Sequence, residues 1–68
     1  MHAMDVVVNG RKTETAARSL LELIEEQKLG ERKIATALNG NFVAEPQRAK
    51  TPLQSGDRIE IVSARQGG

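Results

Sequence analysis

Sixty-eight residues leave room for one domain and one core, and a formal charge of +1 with no basic block argues against nucleic acid or an anionic membrane as the main partner. The absence of cysteine excludes disulfides, a thiolate nucleophile and thiolate metal sites, and Phe42, the sole aromatic residue, cannot provide the series of platforms that stacks single-stranded bases. No apolar run approaches bilayer length and no signal-peptide pattern opens the chain, so a cytoplasmic location is expected.

His2 is the only histidine and is read as structural or vector-derived, with Met4 a candidate natural start. Without a second histidine, no metal cluster of familiar spacing exists. Met4 to Val8 is short and rich in β-branched residues, and Asn9-Gly10 follows at once. Asn-Gly favours the type I′ turn, which needs positive φ at both central positions. Arg11 to Thr15 is the expected return strand.

Ser19 and Glu22 have the spacing of a capping box, in which each side chain serves the other residue's backbone N–H. Leu20, Leu21, Leu23, Ile24 and Gln27 then fall on one side of a helix, and Glu22, Glu25 and Glu26 on the other. The helix is expected to end near Lys28, with Gly30 as its left-handed cap. Ile34 to Leu38 reads as a third strand, Asn39-Gly40 as a second tight turn, and Phe42 to Ala44 as a fourth strand stopped by Pro46. Residues 45–52 carry no pattern that assigns a conformation, although Leu53 reads as a core anchor. Ser55-Gly56-Asp57 is a turn. Arg58 to Ser63 alternates around Ile59 and Ile61 and forms the last strand.

One amphipathic helix on a four- to five-stranded mixed sheet is a two-layer α+β design. The first and last strands can lie parallel to each other, which is the layout of a ubiquitin-like β-grasp. The expected core is Val6, Val8, Leu20, Ile24, Ile34, Leu38, Val43, Leu53, Ile59 and Ile61. Residues 1–63 are assigned to the domain and 64–68 to a flexible tail ending in Gly67-Gly68. Glycine lacks Cβ, so a terminal Gly-Gly can enter a narrow channel and expose its carboxylate for attack on the α-phosphate of ATP. By glycine usage of about 7%, a chance Gly-Gly at the end of a chain is expected in about 0.5% of cases.

The stretch Ile34-Ala35-Thr36-Ala37-Leu38-Asn39-Gly40, with Phe42-Val43, Leu53, Gly56-Asp57, Ile59-Glu60-Ile61-Val62 and the final Gly67-Gly68, resembles the ThiS family of sulfur carriers in thiamine biosynthesis. The likeness spans nearly the whole chain. It departs at Val43-Ala44-Glu45-Pro46-Gln47-Arg48, which lacks a tryptophan that many members carry, so no contact is carried over for that loop.

The resemblance implies a co-substrate, not an enzyme. A ThiF-like adenylyltransferase would use ATP and magnesium to adenylate Gly68. A relay from a cysteine desulfurase would convert it to a thiocarboxylate, a 1-thioglycine, and a ThiG-like thiazole synthase would take that sulfur into the thiazole ring. The carrier itself would bind no cofactor or metal and would be a monomer when alone. Gly67 would pass the partner's constriction, and Arg65 and Gln66 would make polar contacts there, although both also read as ordinary solvated tail residues. Phe42 and Val62 are candidates for a docking patch on the outer sheet face, with a plainer reading of Phe42 as core. The alternatives are a small subunit of molybdopterin synthase (MoaD-like), a ubiquitin-like protein modifier, and a non-catalytic β-grasp binding module. The stretch Val62-Ser63-Ala64-Arg65-Gln66 lacks the aromatic and proline residues of the MoaD branch.

Overall fold

A computed structural model describes residues 3–30 and 32–63. Strand β1 (Met4–Val8) and strand β2 (Arg11–Thr15) form the first hairpin, and helix α1 (Leu20–Glu26) follows. Strands β3 (Ile34–Leu38) and β4 (Asn41–Val43) form the second hairpin. A 3-10 helix (Glu45–Lys50) then leads to strand β5 (Arg58–Ser63). Both hairpins turn on Asn-Gly with positive φ at each central residue: 51° and 82° at Asn9-Gly10, 52° and 87° at Asn39-Gly40. The expected type I′ chemistry is therefore what closes them.

The five strands form one mixed sheet in the order β2-β1-β5-β3-β4. β5 is last in sequence among the strands and central in space. It runs parallel to β1, with Val7 opposite Arg58 and Val8 opposite Ile59. It runs antiparallel to β3, from Ile34 opposite Ser63 to Leu38 opposite Ile59.

Alternation sends Val6, Ile59, Ile61 and Val43 to one face, where Leu20, Leu23 and Ile24 of α1 cover them together with Ala17 and Leu53. Burying each of the large aliphatic side chains contributes about 1.5–3 kcal/mol. Val8, Ile34 and Leu38, expected in the core, are only half-buried and pack on its margin. Leu23 is fully buried in addition.

The helix entry departs from the simple capping box. Ser19 Oγ accepts from the Glu22 N–H at 3.2 Å as expected, but Glu22 Oε1 accepts from the Arg18 N–H at 2.7 Å. An isolated antiparallel bridge pairs Ser19 with Pro52, and its flanking bonds, Leu20 N–H to Thr51 O and Leu53 N–H to Arg18 O, fix the entry as a strand-like segment. That geometry offers the Arg18 amide to the carboxylate.

The helix exit corrects the expectation for Gly30. α1 stops at Glu26, and the left-handed residue is Lys28, with φ of 62°. The Leu29 N–H donates to Ile24 O and the Lys28 N–H to Glu25 O, each at 3.0 Å. This is the bonding of a Schellman cap, placed two residues before the only nearby glycine.

The unassigned connection is the 3-10 helix, with Pro46 in its first turn and no intrahelical donor lost there. Its Arg48 turns inward and is 7% exposed. Arg48 Nε donates to Thr36 Oγ1 at 3.1 Å, and Nη2 donates to Ile34 O at 2.8 Å. The Thr36 hydroxyl in turn donates to Val43 O at 2.8 Å.

Candidate functional site

The chemistry expected of this chain sits on Gly68, and Arg65, Gln66, Gly67 and Gly68 all lie outside the described residues. What the fold positions is the base from which residues 64–68 depart, the end of β5 at Ser63. As the central strand, β5 is held along both edges.

Its β1 edge is held in an unusual way. β1 pairs with β5 only through Val8, after which the chain leaves through the Asn9-Gly10 turn. The Asn9 carboxamide replaces the missing strand residue: Nδ2 donates to Ile61 O at 3.0 Å and Oδ1 accepts from the Ile61 N–H at 2.8 Å. On the opposite edge, Asn39 Oδ1 accepts from the Arg58 N–H at 2.9 Å, and the Asn39 N–H donates to Arg58 O at 2.7 Å. Asn39 Nδ2 also donates to Asp57 Oδ1 at 3.1 Å, while Asp57 Oδ2 accepts from the Gln54 N–H at 2.8 Å and ties the preceding turn.

The sheet face away from α1 carries the two named docking candidates. Phe42 is 73% exposed and Val62 is 58% exposed, which places Phe42 outside the core. Phe42 lies opposite Ala37 and Val62 opposite Ala35, so by alternation all four share this face. The two small alanines between the larger side chains leave a shallow apolar strip. Glu60, opposite Ala37, and Arg58 add one charge of each sign on the same face.

Sequence reading missed three of the residues that hold this base. Asn9 and Asn39 were legible as turn formers, but not as partners of β5, because those bonds span 52 and 19 residues. Arg48 lay in a polar stretch with no periodicity to mark it as buried. Among the described residues, no group of three or more His, Cys, Asp or Glu side chains could hold a metal ion, and no helix is long and apolar enough to cross a membrane.

Residues 6–68 match the family model described as the ThiS family. Among solved structures, the crystal structure of the thiamine biosynthesis protein ThiS from Geobacter metallireducens is similar, with 26% sequence identity and a TM-score of 0.80. The match covers 96% of this chain and 100% of that one. No curated protein matches the chain.

Proposed function

Since the chain belongs to the ThiS family, the small sulfur carriers of thiamine biosynthesis, we propose that Gly68 bears the sulfur as a terminal thiocarboxylate and that the protein is acted upon, not catalytic. The observation that carries this reading is the extent of the family match, which runs to residue 68 and so includes Gly67-Gly68.

The chemistry follows from a carboxylate with no side chain beside it. One oxygen of Gly68 attacks the α-phosphate of ATP on a ThiF-like adenylyltransferase, and pyrophosphate leaves with the magnesium that neutralised it. A persulfide supplied through a cysteine desulfurase attacks the acyl carbon and displaces AMP. Reduction of the resulting acyl disulfide by a thiol leaves the 1-thioglycine. A ThiG-like thiazole synthase then takes up the sulfur: its substrate forms the new C–S bond, the acyl C–S bond breaks, and an oxygen from water or from the substrate's carbonyl replaces sulfur on the acyl carbon to return the carboxylate.

The body of the carrier supports these steps by holding still. Five extended residues reach about 17 Å, enough to place Gly68 in a buried site while the sheet stays outside. Gly67 lets the chain pass a constriction, and Arg65 and Gln66 contact its walls. The apolar strip at Phe42 and Val62 docks on the partner. The missing cysteine suits the chemistry, because no internal thiol competes for the activated carboxyl.

The same lack of thiols makes the test clean. The protein is purified from cells that contain its natural partners, treated with a thiol-selective alkylating reagent and fragmented in the mass spectrometer. A label on Gly68 is the expected result. Intact mass alone does not decide, because oxidation of Met1 or Met4 mimics the exchange of oxygen for sulfur. No label, from cells making thiamine, overturns the proposal. Conjugates to lysines of other proteins would instead indicate a ubiquitin-like modifier.

A further inference from the structure

A cavity of about 220 Å³ opens beside the last described residue of β5. Its lining includes the buried Ile61 and the half-buried Val8, Leu29 and Ile34. The exposed Gln27, Arg32 and Ser63 stand at its rim. We propose that this cavity is a socket for one apolar side chain of the adenylyltransferase that activates Gly68, and that a carboxylate of that enzyme meets Arg32 at the rim. The inference rests on the reading of Gly68 given above.

The cavity exists because α1 is short. The helix ends at Glu26, and the Schellman cap at Lys28 turns the chain away before this end of the sheet is covered. Val8 and Ile34 therefore stay half-buried although their alternation places them on the core face. Leu29 closes the space only in part. Apolar side chains left in this condition gain from a partner that completes their burial.

Position and size select the occupant. Ser63 lines the cavity and is followed by the five residues that end in Gly68. An enzyme that encloses Gly68 must bring its surface within about 17 Å of Ser63, which makes the cavity the apolar feature available at the base of that approach. At about 220 Å³ it is smaller than the roughly 300–1,000 Å³ of small-molecule sites. A single aliphatic or aromatic side chain is the matching occupant, in the manner of an interface anchor.

The main chain points the same way. Asp57, Ile59 and Ile61 direct backbone groups toward β1 or Asn9. Ser63, two residues on, directs its own toward the same side, beyond the point where β1 has left. A partner segment lying there can pair with Ser63 while its side chain enters the socket. The charge at the rim is positive. Among the described residues the one ion pair is Lys12–Asp5, so Arg32 is not engaged by a described carboxylate. Lys28 and Lys33 are its basic sequence neighbours and Glu31 an acidic one, while Glu25 lines a neighbouring cleft with Lys28 and Arg32.

The test measures pyrophosphate release by the cognate adenylyltransferase at varied carrier concentration, with ATP saturating. Gln27→Phe and Ser63→Phe fill the cavity from opposite walls, one from the helix cap and one from β5. Both replace exposed residues, and thermal unfolding checks each fold. Each is expected to raise KM about tenfold, with kcat moving far less, the pattern of lost docking energy. Arg32→Glu is expected to raise KM as well, and more strongly at low ionic strength. If wild type is activated and both phenylalanine variants keep its KM, the socket is overturned and the sulfur-carrier reading stands. A rise for Ser63→Phe alone also overturns it, because that result reports the path of residues 64–68. A KM indifferent to Arg32→Glu removes the carboxylate contact. Failure of wild type to be activated at all removes the reading of Gly68, and the inference with it.

Discussion

Asn9 and Asn39 grip the central strand from opposite edges by the same device. Each takes a left-handed backbone to close a hairpin, and each turns its carboxamide onto β5, Asn9 at Ile61 and Asn39 at Arg58. Glycine would serve the turn equally well but would leave the strand unheld. Asn9→Gly keeps the permitted φ and deletes two hydrogen bonds, so the expected loss is about 1–2 kcal/mol. For a domain of this size that lowers Tm by about 4–16 °C. Amide exchange at Ile61 should accelerate more than exchange at Arg58. An unchanged Tm would show that water replaces the carboxamide without cost.

Lys28 and Gly30 make a paired test of the helix exit. Lys28 holds φ at 62° and bears the steric strain of a side chain in that region. Lys28→Gly should therefore stabilise by about 0.5–1 kcal/mol after the added chain entropy of glycine is subtracted. Gly30 has no positive φ, and a Cβ there would meet only Glu25 Cγ at 3.9 Å. Gly30→Ala should stay within about 0.5 kcal/mol of wild type. Urea denaturation of the two variants decides, and the opposite ranking would place the cap at Gly30.

Arg48 ties the 3-10 helix to β3 through Thr36 and the Ile34 carbonyl. Arg48→Ala strands that carbonyl and leaves a void, for an expected loss of about 2–4 kcal/mol. Arg48→Met restores most of the volume and should recover part of it. If alanine and methionine unfold at the wild-type denaturant midpoint, the buried guanidinium has no structural role.

Phe42 separates stability from docking. With 73% of its surface exposed, Phe42→Ala should change stability by less than about 0.5 kcal/mol. Its effect belongs in the KM for the carrier in adenylation, as an increase. A KM equal to wild type would remove Phe42 from the contact surface.

Gly67→Val tests the tail independently of the fold. Thermal unfolding should be unchanged and adenylation abolished, because a β-branched side chain both widens the chain and narrows its backbone choices. Normal pyrophosphate release by this variant would refute the constriction.

The strands and turns were legible because their signals are local. β1, β2, β3 and β5 begin and end where alternation and the Asn-Gly pairs place them. The core followed for Val6, Leu20, Ile24, Val43, Leu53, Ile59 and Ile61. What escaped depends on partners far along the chain. Thr36 and Arg48 are buried with their polar atoms satisfied by each other, across 12 residues, and by the Val43 and Ile34 carbonyls. Val8 and Ile34 have core-facing parity but sit beside the exit of the short helix, and Leu38, at the other end of β3, packs only on the margin of the core. Gly30 was a plausible cap by composition, yet helix length is set by packing, and packing ended α1 two residues earlier than the sequence suggested. At the outer face, parity within a three-residue strand was too short a signal to choose which way Phe42 points.

β1 and β3 never touch each other as neighbours, since β5 lies between them. In a chain emerging from the ribosome the two hairpin segments thus have no strand to join them until Arg58–Ser63 has been made, and the Val7–Arg58 pairing must then close a loop of 51 residues. Synthesis order and sheet order are in this way opposed. A product cut short before β5 lacks both the segment that unites the hairpins and the residues that follow it. If Gly68 is activated as proposed, an incomplete chain lacks the sheet's central strand and the reactive end together.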